Sequence, residues 1–107
     1  MIDNSTKTAF NICACICAQD GIISSQEEAS LAANFKLQFQ INDNDVEALF
    51  DDFFESTLHI DSYLKKVTDT DLRKKITAIA QSSAAADGLA LKENIALERV
   101  KMIWGLS

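Results

Sequence analysis

The sequence predicts an all-α protein, a compact bundle of about six helices. Three observations carry that expectation. The 107-residue chain contains no proline and only three glycines, so the two strongest helix breakers are nearly absent. Apolar residues recur three and four positions apart along most of its length, and no segment alternates with period two. A helix, Asp-Gly, helix pattern is also written twice, as CAQDGIISSQEE at residues 17–28 and AAADGLALKE at residues 84–93.

The elements follow in order. Residues 8–19 are apolar nearly all round (Phe10, Ile12, Cys13, Ala14, Ile16, Cys17), as a central buried helix reads. The second helix starts at Ser24 or Ser25, because Ser24 with Glu27 and Ser25 with Glu28 each form a Ser-x-x-Glu capping box. It runs through Leu31, Ala32, Phe35 and Phe39 to the polar cluster INDND. Asn44 with Glu47 is the expected cap of a third helix carrying Leu49, Phe50, Phe53 and Phe54. A short fourth helix covers residues 60–67, with Tyr63, Leu64 and Val67 on one face. The fifth begins near Thr70 and carries Leu72, Ile76, Ile79, Ala80 and Ser83. The sixth runs from about Ala90 to Trp104, with Gly105 as its stop.

Sliding the chain 67 positions against itself sets Ile12 on Ile79, Ala18 on Ala85, Asp20 on Asp87 and Gly21 on Gly88. The predicted architecture is therefore one domain over residues 1–107. It is built from two pseudo-symmetric helix–DG turn–helix repeats, at about 8–39 and 72–106, joined by an acidic helical connector at 40–71. Cys13, Cys15 and Cys17 fall opposite Ala80, Ser82 and Ala84, which reads them as small packing residues where two helix backbones approach. Three cysteines so close together do not make a disulfide framework, and no second Cys or His cluster completes a zinc site.

Composition narrows the function classes. A hydrophobic fraction of 48% and a charged fraction of 24% are those of a globular protein. Ten basic against sixteen acidic residues, net −6, oppose binding to nucleic-acid phosphates and favour a cation or a basic protein surface. No apolar run approaches the roughly 18–20 residues that span a bilayer, and the N-terminus has no signal-peptide pattern. The expected location is the cytoplasm.

Each DG reads first as a helix C-cap, with glycine in the left-handed region and Ile22 or Leu89 folding back on the last turn. That accounts for the glycines and leaves the aspartates unexplained, since a carboxylate at a helix C-terminus faces the negative pole of the macrodipole. Glu27 or Glu28 has a capping role to explain it. Glu93 has Ala90 three residues before it and no such partner. If the two turns lie side by side, Asp20, Glu27, Asp87 and Glu93 converge, and two bare carboxylates about 4 Å apart repel by ~4 kcal/mol at an effective dielectric of ~20. An all-oxygen set of this kind suits Ca²⁺ or Mg²⁺ better than Zn²⁺. The ungapped register sets Gln26 opposite Glu93, so a second turn shorter by one residue is needed to pair Glu93 with Glu27.

ADGLALKENIALERVKMIWGL, with its Ala-rich helix end, Asp-Gly, a glutamate further on and the terminus Trp104-Gly105-Leu106, resembles the signature of the TerB-like (tellurite-resistance protein B-like) family. AQDGIISSQEEASLAANF resembles the same family's first copy, although this copy ends in Phe39-Gln40 without Leu-Gly. The resemblance implies an all-helical fold of two interlocked repeats whose acidic residues chelate a metal ion, here Asp20, Glu27, Asp87 and Glu93. It also implies a cytoplasmic stress-response or defence role, as a non-enzymatic regulatory or scaffold module working with membrane-associated or other protein partners.

The alternative is an acidic interaction module, of inhibitor or immunity type, presenting Asp43, Asp45, Glu47, Asp51, Asp52 and Glu55 to a basic surface without a metal. An enzyme is the weakest class. His59, the only histidine, sits in a linker beside no nucleophile, and no Glu-x-x-His pair for di-metal chemistry is present. Arg73, Lys74 and Lys75 read as a solvated helix face. Trp104 reads as a core anchor, with a homodimer contact as the other role open to a lone tryptophan.

Overall fold

In the computed structural model of the chain, Asp3 opens the first helix by accepting the Thr6 N–H at 2.8 Å. The structure describes every residue except Met1, Asp20, Ile22, Leu58, Leu89, Ala90 and Ser107, and of Asp87 the backbone alone. Helix α1 (Asn4–Cys17) thus starts ahead of the predicted residue 8, because the cap lies outside the apolar run that marks the buried part. Phe10, Ile12, Cys13, Ala14, Ile16 and Cys17 are all fully buried, so α1 is the central helix its composition predicts.

Helix α2 (Ser25–Phe39) begins at the first of the two candidate boxes. Ser24 Oγ accepts the Glu27 N–H at 3.1 Å and Glu27 Oε1 accepts the Ser24 N–H at 2.9 Å. Ser24→Ala should therefore cost about 1 kcal/mol of stability, readable as a lower urea midpoint at unchanged slope. The helix ends on Gln40 at φ 54°, the one non-glycine residue with positive φ among those described.

Helix α3 (Asp43–Glu55) corrects the expected cap. Asn42, not Asn44, is the N-cap, and it exchanges hydrogen bonds with Asp45 at 2.8 and 3.3 Å. The earlier start places Asp43 in the first turn, where its carboxylate meets Lys36 of α2 at 2.8 Å. Overlapping Asn-x-x-acid pairs in NDNDVE allowed either register.

Helix α4 (Ile60–Leu64) is shorter than predicted, and α5 (Thr70–Ala84) opens on Asp69, whose side chain accepts the Asp71 N–H at 3.1 Å. A 3-10 turn, Ala85–Asp87, prolongs α5 into Gly88. Helix α6 (Leu91–Trp104) closes on Gly105 at φ 72°, with Leu106 N–H donating to Lys101 O at 2.7 Å and Gly105 N–H to Met102 O at 3.2 Å. That pair of bonds is a Schellman cap. No strand occurs among the described residues, and none of their helices is long and apolar enough to cross a membrane.

The core forms around α1. The Phe10 ring meets Phe35 of α2 edge-on at 5.1 Å and Phe50 of α3 at 4.8 Å, so one side chain joins three helices. α1 also packs along α5, where Cys13 Sγ lies 3.5 Å from Ile76 O and Ala80 and Ala84 are fully buried. Small side chains at these positions let the two backbones approach. Trp104 is buried and its Nε1–H donates to Leu64 O at 3.3 Å, tying the end of α6 to α4.

Arg73 departs from the expectation of a solvated basic face. Its Nε–H donates to Val67 O at 2.9 Å and its guanidinium lies 5.5 Å from the Trp104 ring centre, whereas Lys74 and Lys75 are exposed. A planar cation stacked on an indole while capping a loop carbonyl is a structural clamp.

None of the three cysteines is in a disulfide. Burial pushes the Cys15 thiol up to about 11, and it raises Cys13 as well, most of all by desolvation. Thiolate is the reactive form. A thiol reagent near neutral pH should accordingly label the folded protein slowly and all three cysteines promptly in denaturant, in a time course followed by mass.

Candidate cation site at the hairpin tips

Both DG turns adopt the conformation that their glycines permit. Gly21 has φ 95° and donates to Ala18 O at 2.9 Å; Gly88 has φ 91° and donates to Ala85 O at 3.2 Å. A Cβ at either position would meet nothing within 4 Å, so the requirement for glycine is the backbone angle and not crowding. Asp20, Ile22 and Leu89 lie outside the described residues, as does the Asp87 side chain, whose backbone ends the 3-10 turn.

The two glutamates are described in full and occupy matching places. Glu27 is the third residue of α2 and Glu93 the third residue of α6, and each is only 2% exposed. Gln26 and Glu28 are exposed, so between Glu27 and Glu28 it is Glu27 that turns inward. Position in the first turn favours a carboxylate, because the helix N-terminus is the positive pole of the macrodipole.

Glu27 is only half satisfied by its cap. Oε1 accepts the Ser24 N–H, while Oε2 is buried with no hydrogen-bond partner among the described residues. Leaving a buried acceptor unmatched costs about 1–3 kcal/mol, and more for a charged one. The cap needs one oxygen of this carboxylate and leaves the other to be explained.

Helix α2 packs on α5 and on the 3-10 turn that follows it, and α1 packs on α6. α2 runs antiparallel along α5: Ser30 Oγ lies 3.4 Å from Ser83 Oγ, and further along Lys75 sits 5.1 Å from the Phe39 ring centre. The start of α2 also rests on the 3-10 turn that precedes Gly88. On the other flank the end of α1 meets the first half of α6, where Gln19, Lys92, Ile95, Ala96 and Arg99 line one cleft. The described residues thus place α2 beside the 3-10 turn after α5, and Gln19 beside α6. Among the described residues no group of three or more His, Cys, Asp or Glu side chains is gathered at metal-binding spacing, and Glu27 and Glu93 are the described members of the predicted set.

His59 is exposed at the N-cap of α4 and makes no side-chain capping bond. It borders a cleft with Cys15, Gln19, Asp61 and Arg99. Arg99 Nη1 lies 2.9 Å from Asp61 Oδ1, and the hydrogen bond from that guanidinium holds the Asp61 carboxyl below its ordinary value.

Between α2 and α3 a groove of about 500 Å³ is lined by Ser25, Glu28, Ala29, Ala32, Asp43, Val46, Glu47, Phe50, Asp51 and Phe54. The acidic face of α3 is legible in the sequence. The apolar floor beside it is made by Val46, Phe50 and Phe54 of α3 together with the small Ala29 and Ala32 of the neighbouring helix. Comparison with protein-family models, with curated proteins and with solved structures returns no match to this chain.

Proposed function

We propose that this chain is a non-enzymatic, cation-binding regulatory or scaffold domain of the TerB-like kind, built from two helix–DG turn–helix repeats. The observation that carries the reading is the buried Oε2 of Glu27, which has no hydrogen-bond partner among the described residues. A carboxylate oxygen held away from water without a donor is accounted for when a cation supplies the missing positive charge. The matching burial of Glu93 at the third position of α6 supports the repeat, as do the paired packings of α2 on α5 and α1 on α6.

In this reading Glu27 and Glu93 supply ligands from the helix starts, and Asp20 and Asp87 supply them from the turns. An all-oxygen set selects Ca²⁺ or Mg²⁺ over Zn²⁺. The bound ion would cross-link the two hairpins and so stiffen the surface offered to a protein partner. A cytoplasmic stress-response or defence setting, with a membrane-associated or other protein partner, follows from the same resemblance.

Calorimetric titration of metal-stripped protein with Ca²⁺, Mg²⁺, Mn²⁺ and Zn²⁺ tests the site. Saturable heat with Ca²⁺ or Mg²⁺ that disappears in Asp87→Asn is the expected result. Flat titrations with all four ions would remove the proposal.

A further inference from the structure

We infer that the groove between α2 and α3 is a docking site for a basic amphipathic helix of a partner protein. Its floor is apolar: Val46, Phe50 and Phe54, four apart along α3, line it with Ala29 and Ala32 of α2, and the Phe54 ring is 64% exposed. Its rim is acidic, with Glu28 on α2 and Asp43, Glu47 and Asp51 spaced four apart along α3. Asp43 is bonded to Lys36 at 2.8 Å, whereas Glu28, Glu47 and Asp51 make no ion pair among the described residues.

Stability does not explain this arrangement. Like charges four apart on a helix destabilise it by about 0.2–0.5 kcal/mol per pair. Asp51 lies in the second half of a helix whose last turn holds no basic residue, toward the negative end of the macrodipole. A large aromatic ring left in water among unpaired carboxylates is the pattern of a surface waiting for an apolar side chain flanked by cations.

The shape selects the form of the occupant. Two adjacent helices with small residues on one wall make a trough into which a third helix packs by ridges and grooves. From Asp43 to Phe54 the trough follows α3 for about 16 Å at 1.5 Å per residue, or roughly three turns of a bound helix. Leu-sized side chains every three or four residues would fill the floor, and flanking Lys or Arg would reach Glu28, Glu47 and Asp51. This site is separate from the buried carboxylate of Glu27, which does not line the groove.

The test uses the full chain and a synthetic amphipathic helical peptide of Leu and Lys, with binding followed by fluorescence anisotropy. The control peptide has the same composition scrambled so that no apolar face forms. Three variants accompany it: Phe54→Ser, the pair Glu47→Gln with Asp51→Asn, and a charge-matched pair outside the groove, Asp71→Asn with Glu98→Gln. The expected result is saturable binding of the amphipathic peptide, weakened about tenfold or more by each groove variant and unchanged by the charge-matched pair, with the scrambled peptide binding weaker. Equal binding of the two peptides, equal loss in the charge-matched pair, or no binding would each overturn it. So would a self-association that Phe54→Ser dissolves in sedimentation, since the occupant would then be a second copy of the chain.

Discussion

Phe10→Ala should destabilise the protein by about 3–5 kcal/mol, the range for emptying a fully buried aromatic site. The ring has no exposed surface and meets Phe35 at 5.1 Å and Phe50 at 4.8 Å, so the cavity opens where α1, α2 and α3 meet. Both aromatic contacts are edge-on and contribute beyond their area, by about 0.5–1.5 kcal/mol per pair. A domain of this size has a total stability of about 5–15 kcal/mol, so the variant sits near the edge of folding. Thermal melts should show a midpoint lower by about 12 °C or more. The comparison is Phe54→Ala, an exposed ring on the neighbouring face, expected within about 0.5 kcal/mol of the parent. A Phe10→Ala loss below about 1 kcal/mol would mean that the three helices do not meet on this ring.

The second large effect concerns the cation. Metal-stripped protein should melt higher on addition of Ca²⁺ or Mg²⁺, by about 2.7 kcal/mol when the ion is a hundredfold above its dissociation constant. Glu27→Gln is the informative variant, because the amide oxygen can still accept the Ser24 N–H while the charge is gone. Its melt without metal should equal or exceed that of the parent, since a buried charge has been removed, and its response to the ion should vanish. Glu28→Gln, at an exposed position one residue along the same helix, should leave the response intact. Loss of the capping role alone gives the opposite pattern: Glu27→Gln would melt lower than the parent and respond to added ion as the parent does. Equal midpoints with and without either ion in the parent would sink the cation reading while leaving the peptide groove untouched.

Much of the helical layout was legible in the sequence because it rests on short-range rules. The Ser24 to Glu27 box, the glycine stop at Gly105 and the apolar run of α1 each involve neighbours within a turn or two, whereas α1 is already capped by Ala18, ahead of Gly21, and α5 by Ala85, ahead of Gly88. Where two local solutions overlapped, the sequence was a poor judge, as at Asn42 and Asn44. Arg73 was misread for a different reason. Its partners, Val67 O and the Trp104 ring, come from a loop and from a helix that ends more than thirty residues later in the chain.

The candidate site divides along the same line. That acidic residues recur beside each DG turn is a property of the letters. Which glutamate turns inward is not, since Glu27 and Glu28 both satisfy a capping pattern and differ only in the face of α2 they occupy. Burial of one face of α2 took Glu27 inward and left its second oxygen without a hydrogen-bond partner among the described residues. By itself the sequence determined that the chain is helical, where α2 is capped and that α6 stops at Gly105, because propensity and capping are local. Only the tertiary structure decided which carboxylate is buried, what Arg73 clamps and that small residues of α2 open a trough beside the acids of α3. Each of those depends on surfaces brought together by burial of the core, and no single segment carries that information.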